Sequence, residues 1–343
     1  MNRDPQGVAR VILRAAIPVA LAAAALWLWG RRGTAKRARR DAETANIAFP
    51  SPDDFEGSFL PRQQDALNGA QSTFRGAVVV TMLPRTLVEK RLPAGFRLAR
   101  SKTGAAYHPV IHLVGHQEHP SYLFQGQPTE IPGQAYHEMI LLIPFVQDRS
   151  GLYWHNYAAW MYLDNLWAIW IGDLLYGYHK EQAQLDELGG EPDPVKTLVW
   201  PASSDDYYFI HTWRIRRHPD PDGPPEPWRV VADAATALPR FADIQKIFEM
   251  PVLGFTTSPL GGPPGRIVCS FFEWNYDDAQ VAPAIASCRH GRTFGRPPGT
   301  AGPGWTDWEQ LGSLRNAPDG AYVLRGLRWR LSTDLRPCRF SGP

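Results

Sequence analysis

Apolar and polar residues are distributed unevenly along this chain. The first feature is a block of 16 uncharged residues, Ala15 to Gly30, rich in Ala and Leu, with Ala25-Leu26-Trp27-Leu28-Trp29 just before its end. Val11, Ile12 and Leu13 lie just upstream of Arg14. A bilayer core takes about 20 apolar residues, a length this block reaches if Arg14 snorkels to the headgroups. Trp27 and Trp29 stand where an interfacial aromatic belt belongs, and Arg31, Arg32, Lys36, Arg37, Arg39 and Arg40 follow, against only Arg3, Arg10 and Arg14 before the block. The pattern predicts an N-terminal membrane anchor with a polybasic flank over 1–40: a transmembrane helix contacting the membrane through residues 11–30, single-pass, with the bulk of the chain cytoplasmic. The alternative is a cleaved signal and a secreted product. Against it, Gly30-Arg31-Arg32-Gly33 offers no small-x-small cleavage site, and a polybasic segment resists translocation.

From 41 to 71 the residues turn polar and turn-rich, with Pro50-Ser51-Pro52-Asp53-Asp54 and Asn68-Gly69, which predicts a flexible tether. The domain proper then spans 72–343. Short β-like runs recur in it with Gly and Pro between them: Gly76–Met82, Val110–Val114, Met139–Val146, Tyr207–Trp213, Trp228–Val231, Arg266–Phe272 and Tyr322–Leu331. Helical periodicity is confined to Thr86–Arg91, Leu163–Tyr176 and Phe241–Phe248. Many short strands without regular βα alternation predict a mainly β fold, an antiparallel barrel or sandwich with a few added helices. The Pro-rich stretches at 218–227, 259–265 and 296–304 read as loops within that domain rather than as linkers.

Composition narrows this picture. At 343 residues, with 44% hydrophobic and 12% aromatic residues, the chain can bury a large core and needs no metal or disulfide staple. Its 36 Lys and Arg nearly cancel 34 Asp and Glu, so no net field marks it as a nucleic-acid binder. The odd count of three cysteines, Cys269, Cys288 and Cys338, without C-x-x-C spacing, reads as packing residues.

Several sequences resemble chemical motifs without meeting their requirements. His108, His112, His116 and His119 are spaced for a metal on a helix, but Pro109, Gly115 and the β-branched residues between them predict a strand. There, positions four apart lie roughly 13 Å apart, too far for one ion, so no metal is expected. His137-Glu138 opens like H-E-x-x-H, yet Leu141 stands at the closing position. Gly261-Gly262-Pro263-Pro264-Gly265 lacks the Lys and hydroxyl of a phosphate loop, and neither G-x-S-x-G nor G-x-G-x-x-G occurs.

The stretch from Tyr136 to Leu185 carries the functional reading. It sets Glu138 and Lys180 among Tyr136, Trp154, Trp160, Tyr162, Trp167, Trp170, Tyr176 and Tyr178. A lysine among such side chains loses hydration of its ammonium form, so its pKa falls and a nucleophilic amine becomes available near neutral pH. This is the condition for Schiff-base chemistry. The sequence leaves open the other reading, a solvated lysine in the polar run His179-Lys180-Glu181-Gln182.

These residues resemble a family. Met161-Tyr162-Leu163-Asp164-Asn165, then Ala168-Ile169, Gly172 and Tyr178-x-Lys180, are similar to the signature around the reactive lysine of the acetoacetate decarboxylase family. Tyr136-x-Glu138 followed by Ile143-Pro144 is similar to its glutamate segment; Leu87–Pro93 and Met250-Pro251-Val252-Leu253-Gly254 add weaker matches. The resemblance runs over about 75–275 and is dense over 136–185. It implies a cone-like antiparallel β-barrel with peripheral helices, and Lys180 as the imine-forming residue with Glu138 as its acid or base. It also implies a substrate pocket drawn from Tyr136, Trp160, Tyr162, Trp167, Trp170 and Tyr178, with no cofactor. The expected partner is a small carbonyl or keto-acid ligand, and a homo-oligomer stays open. Two positions depart from the family pattern: Glu181 stands where a second lysine is common, and Thr81 aligns with the family's arginine, with Arg75 and Arg85 nearby. Three functions remain: a decarboxylase-like lyase, an imine-dependent aldolase or dehydratase, and a non-catalytic membrane-tethered barrel holding an apolar ligand.

Overall fold

The computed structural model describes residues 50–60, 69–130, 135–178, 180–187, 195–201, 211–217, 229–230, 239–255, 267–290, 313–332 and 336–337. The expected anchor, the segments 41–49 and 61–68 of the expected tether, the run at 207–210 and the three Pro-rich stretches fall outside them. Among the described residues no helix is long and apolar enough to cross a membrane.

The domain is mainly β, a curled sheet with few helices. Its principal strands are β1 (Gly69–Pro84), β2 (Tyr107–Phe124), β3 (Tyr136–Gln147), β4 (Tyr153–Leu163), β5 (Lys180–Glu187), β6 (Val195–Pro201), β7 (His211–Arg217), β8 (Val252–Phe255), β9 (Ile267–Ser270), β10 (Gln280–His290) and β11 (Ser313–Ser332). Antiparallel pairing runs β10–β11–β1–β2–β3–β4. It continues through a parallel β4–β5 pair to β6 and β7 and returns to β10. A side branch joins β8 in parallel to β4 and β9 antiparallel to β8. The helices are α1 (Arg85–Glu89), α2 (Leu166–Tyr176) and α3 (Pro239–Phe248), each within a residue or a few of the periodic segments seen in the sequence.

Both faces of the central strands are buried, which explains why they read as near-continuous apolar runs rather than alternating ones. Along β3, Tyr136, Ile140 and Leu142 join one cluster, while Met139, Leu141 and Ile143 join the other. The alternation follows from the pleat, which sends successive side chains to opposite faces.

Two expectations need correction. Within the stretch read as a tether, Pro52–Asp54 forms a short 3-10 helix with a Ser51 capping box, and Ser58–Phe59 pairs in parallel with β4. The cause is Phe55, 4% exposed, whose ring stacks on Phe145 at 4.0 Å. Phe145 is held at φ 56°, a left-handed conformation costing about 1 kcal/mol or more in a non-glycine residue, at an irregularity in the β3–β4 register. Second, Cys269 is disulfide-bonded, so the reading of the cysteines as mere packing residues fails there: spacing along the chain does not report proximity across strands.

Candidate active site

A cavity of about 110 Å³ opens between α2 and the inner face of β1–β4. Its wall is built by alternation. From β3 come Tyr136, Glu138, Ile140 and Leu142; from β2, Leu113 and Gln117. From β4 come Asn156, Ala158 and Met161. The step from Ala158 to Met161 breaks period two, because the β3–β4 register shifts between Leu141 and Leu142, opposite Trp160 and Ala158. That bulge turns Met161 inward and sends Trp160 and Tyr162 to the other face, where they join the opposite cluster.

Lys180 reaches the cavity through the end of α2. Asn165 caps the helix, its side-chain oxygen accepting from the Ala168 amide at 3.0 Å. Gly177 ends it in the left-handed region at φ 63°, where a Cβ would also strike the Phe255 backbone. The chain therefore turns within one residue and enters β5 at Lys180, opposite Met161 in register. Gly172, on the helix face lining the cavity, leaves room for the lysine: a Cβ there would collide with Cε and Nζ of Lys180.

Lys180 Nζ donates to the Ala168 carbonyl at 3.0 Å. Burial pulls its pKa down from the ordinary lysine value to about 8, against the opposing pull of the nearby Glu138 and Asp173 carboxylates. Glu138, 4% exposed, is pushed up by burial and is drawn back partly by a hydrogen bond and by Lys180. That bond comes from Gln117 Nε2 to Glu138 Oε1. Gln117 is in turn oriented by Trp329, whose indole N–H donates to Gln117 Oε1 at 2.8 Å. With its oxygen occupied by an indole donor, the amide has to present its NH₂ to the carboxyl.

The residues singled out in the sequence are thus divided by the fold. Lys180, Glu138, Tyr136, Trp167 and Tyr178 all line the cavity. Trp160 and Tyr162 lie behind its wall, and Trp170 sits on the outer side of α2, 58% exposed, edge-on to Trp167. Glu181 is not part of the lining; its charge acts on Tyr162, on the opposite face, as alternation along β5 requires. Thr81 is buried outside the cavity with Oγ1 3.0 Å from His112 Nε2. Arg75 pairs with Glu118, and Arg85 with Glu89 and the Leu98 carbonyl. Among the described residues lining the cavity, Glu138 is the only carboxyl group and Lys180 the only cation-forming side chain, and none is an arginine. His108, His112, His116 and His119 all lie along β2, and no group of three or more potential ligands among the described residues could hold a metal.

Sequence reasoning missed Gln117, Trp329 and Asn156. Nothing local marks them: Gln117 and Trp329 are 212 positions apart and meet only through the pairing of β11, β1 and β2.

No family model matches the chain, and no curated protein does. Solved structures show a distant likeness. An acetoacetate decarboxylase-like enzyme from Sphingomonas wittichii aligns with 79% of this chain and 92% of its own at 16% identity and a TM-score of 0.46. The acetoacetate decarboxylase of Legionella pneumophila aligns with 80% of this chain and 89% of its own at 14% identity and a TM-score of 0.45. The enduracididine biosynthesis enzyme MppR, complexed with a condensation product of pyruvate and imidazole 4-carboxaldehyde, aligns with 78% of this chain and 88% of its own at 10% identity and a TM-score of 0.45. Likeness at this level assigns the chain neither a family nor an activity.

Proposed function

We propose that this protein is a Schiff-base enzyme, a carbon–carbon lyase acting on a small carbonyl compound through Lys180. The observation that carries the reading is the lysine itself: an amine with its pKa lowered to about 8, facing an apolar cavity beside a carboxyl group. A neutral amine there attacks the carbonyl carbon, water leaves, and the iminium nitrogen accepts the electron pair of the bond that breaks at the neighbouring carbon. Glu138, with its raised pKa, donates the proton needed for loss of water, regains one from the substrate hydroxyl or from solvent as the carbon–carbon bond breaks, and returns it to the resulting enamine before hydrolysis frees the lysine. The apolar walls delay premature hydrolysis by keeping bulk water out.

Which bond breaks depends on charge. Decarboxylation of a keto acid calls for a cation to receive the substrate carboxylate, and the described lining supplies none besides the nucleophile. This favours the imine-dependent aldolase or dehydratase reading over the decarboxylase-like one. We further propose, from the N-terminal block alone, that the domain is tethered to a membrane.

The test is borohydride reduction of the full chain with a panel of small aldehydes, ketones and keto acids, followed by peptide mass mapping. An adduct on the Lys180 peptide is expected, with retro-aldol or dehydration products in the absence of borohydride. Carbon dioxide release from a keto acid would restore the decarboxylase reading; absence of any Lys180 adduct across the panel would leave a ligand-binding barrel.

A further inference from the structure

One wall of the cavity is made of aromatic rings that the imine chemistry does not use. The short strand Phe272–Asn275 pairs with β11, setting Trp274 opposite Trp329 and Phe272 opposite Leu331. Those four side chains share one face and all line the cavity, while the pleat turns Glu273 and Asn275 the other way. Phe248, in the last turn of α3, completes the row. Its ring stacks on Trp274 at 5.0 Å, Trp274 stacks on Phe272 at 5.4 Å, and Phe272 meets Trp329 edge-on at 5.5 Å. Both indole N–H groups are occupied within the protein: Trp274 Nε1 donates to the Phe248 carbonyl at 3.2 Å, and Trp329 Nε1 to Gln117 Oε1 at 2.8 Å. These rings therefore offer a ligand carbon surface and no free donor.

The row is not sealed inside the core. Phe272, Trp274 and Trp329 are only partly buried: they pack against the main apolar cluster and also line the cavity. Apolar surface facing an open cavity is unfavourable in water, and covering it with an apolar ligand group is favourable. The row also adjoins the reactive pair, since Gln117, which accepts from Trp329, donates to Glu138 Oε1. We propose that this aromatic wall holds the tail of the substrate, so that the cavity takes an uncharged aldehyde or ketone with an apolar tail rather than a short keto acid: the carbonyl at Lys180, the tail along Trp329, Phe272, Trp274 and Phe248. The carbonyl end of this assignment rests on the Schiff-base reading; the tail end does not.

Two ligand series separate the ends. The first has no carbonyl: linear alkan-1-ols of increasing length are titrated against the full chain by intrinsic tryptophan fluorescence, with Trp274 and Trp329 as reporters on the wall. Binding should tighten about fourfold for each methylene that leaves water, until the tail outgrows the wall. Phe272→Ser, which opens the middle of the row, should flatten that dependence. No gain with length in the wild-type protein overturns the proposal, and so does the full gain in Phe272→Ser shown to be folded by circular dichroism. An alkan-1-ol carrying a photoreactive diazirine locates the tail without any substitution. Label on the peptides bearing Phe248, Phe272, Trp274 or Trp329 is expected; label confined to other peptides overturns the assignment. In the second series, alkanals of the same lengths are trapped with borohydride. Trapping at Lys180 that strengthens with tail length supports both readings. Trapping indifferent to length overturns the tail assignment and leaves the imine standing. Length-dependent binding and labelling of the wall without any Lys180 adduct leave the tail assignment standing and remove the imine.

Discussion

β2 and β3 carry two polar groups of residues on opposite faces, and the contrast between them isolates what burial does. Gln117 and Glu138 point into the cavity; their immediate neighbours His116 and His137 point out. Outside, His137 Nδ1 lies 2.8 Å from Asp164 Oδ2, the two imidazole rings are 4.6 Å apart, and Glu118 bridges toward His116 and Arg75 at 3.8 and 3.1 Å. Every side chain in that outer group keeps substantial contact with solvent, between 18% and 41% exposed. Inside, Glu138 and Gln117 are 4% and 3% exposed. The outer group is richer in charge and in ion pairs, yet the inner one holds the perturbed acid and base. Water screens the outer charges, whereas the inner carboxyl and amine lose hydration that nothing nearby fully replaces. A sequence motif counts charges; the chemistry follows their desolvation.

Substitutions can break this contrast in graded steps. The largest effect belongs to Lys180→Met, which removes the nucleophile and should abolish both turnover and borohydride trapping. The same variant carries a signature in stability. Since the folded-state pKa of about 8 lies below that of a free lysine, the unfolded chain binds more protons than the folded one between those values. Stability from this residue therefore rises with pH across that window and is lost as pH falls through about 8; thermal denaturation at pH 7 and pH 9.5 should show a rise in wild type that Lys180→Met lacks.

Glu138→Gln comes next, with turnover slowed roughly 10²-fold as expected for loss of a general acid, while trapping persists. It also deletes the anion that holds the lysine pKa up, so the ascending limb of the pH profile of trapping moves to lower pH. Gly172→Ala sets a methyl group against Lys180 Nζ and Cε. Overpacking of this kind should reduce trapping by about tenfold while circular dichroism and melting show an intact fold, because alanine favours the helix.

Gln117→Leu tests the relay from Trp329. Without the amide donor Glu138 holds its proton to higher pH, its carboxylate is less populated beside Lys180, and the ascending limb shifts in the same direction as in Glu138→Gln, by less. Turnover should fall about fivefold, the scale of one hydrogen bond. A limb that stays in place would show that Gln117 is structural only. The smallest effect is assigned to His137→Ala. It breaks an exposed pair worth at most about 1 kcal/mol and should leave the pH profile of trapping unmoved. A shift there equal to that of Gln117→Leu would dissolve the distinction between the two faces.

What the sequence determined by itself is what local periodicity and local chemistry can carry. The helices expected at 86–91, 163–176 and 241–248 and the strand character of the histidine-bearing segment all depend on neighbours within a turn or a strand. The turn that delivers Lys180 is local too, since Gly172 and Gly177 lie within eight residues of it.

Tertiary structure decided the rest, for two physical reasons. Period-two alternation survives only while register does: one bulge between β3 and β4 exchanged Trp160 and Tyr162 for Met161 on the cavity face, and nothing in the composition of β4 announces it. Contacts between strands distant in sequence are set by pairing, which brought Trp329 to Gln117, Gln117 to Glu138, and the end of α3 to Asn156. Phe55 belongs to the same class, since the residues around it read as a tether until Phe145, 90 positions away, supplies the surface on which its ring stacks. Desolvation is a property of that three-dimensional enclosure, so the carboxyl is pushed up and the amine pulled down only where the fold closes around them.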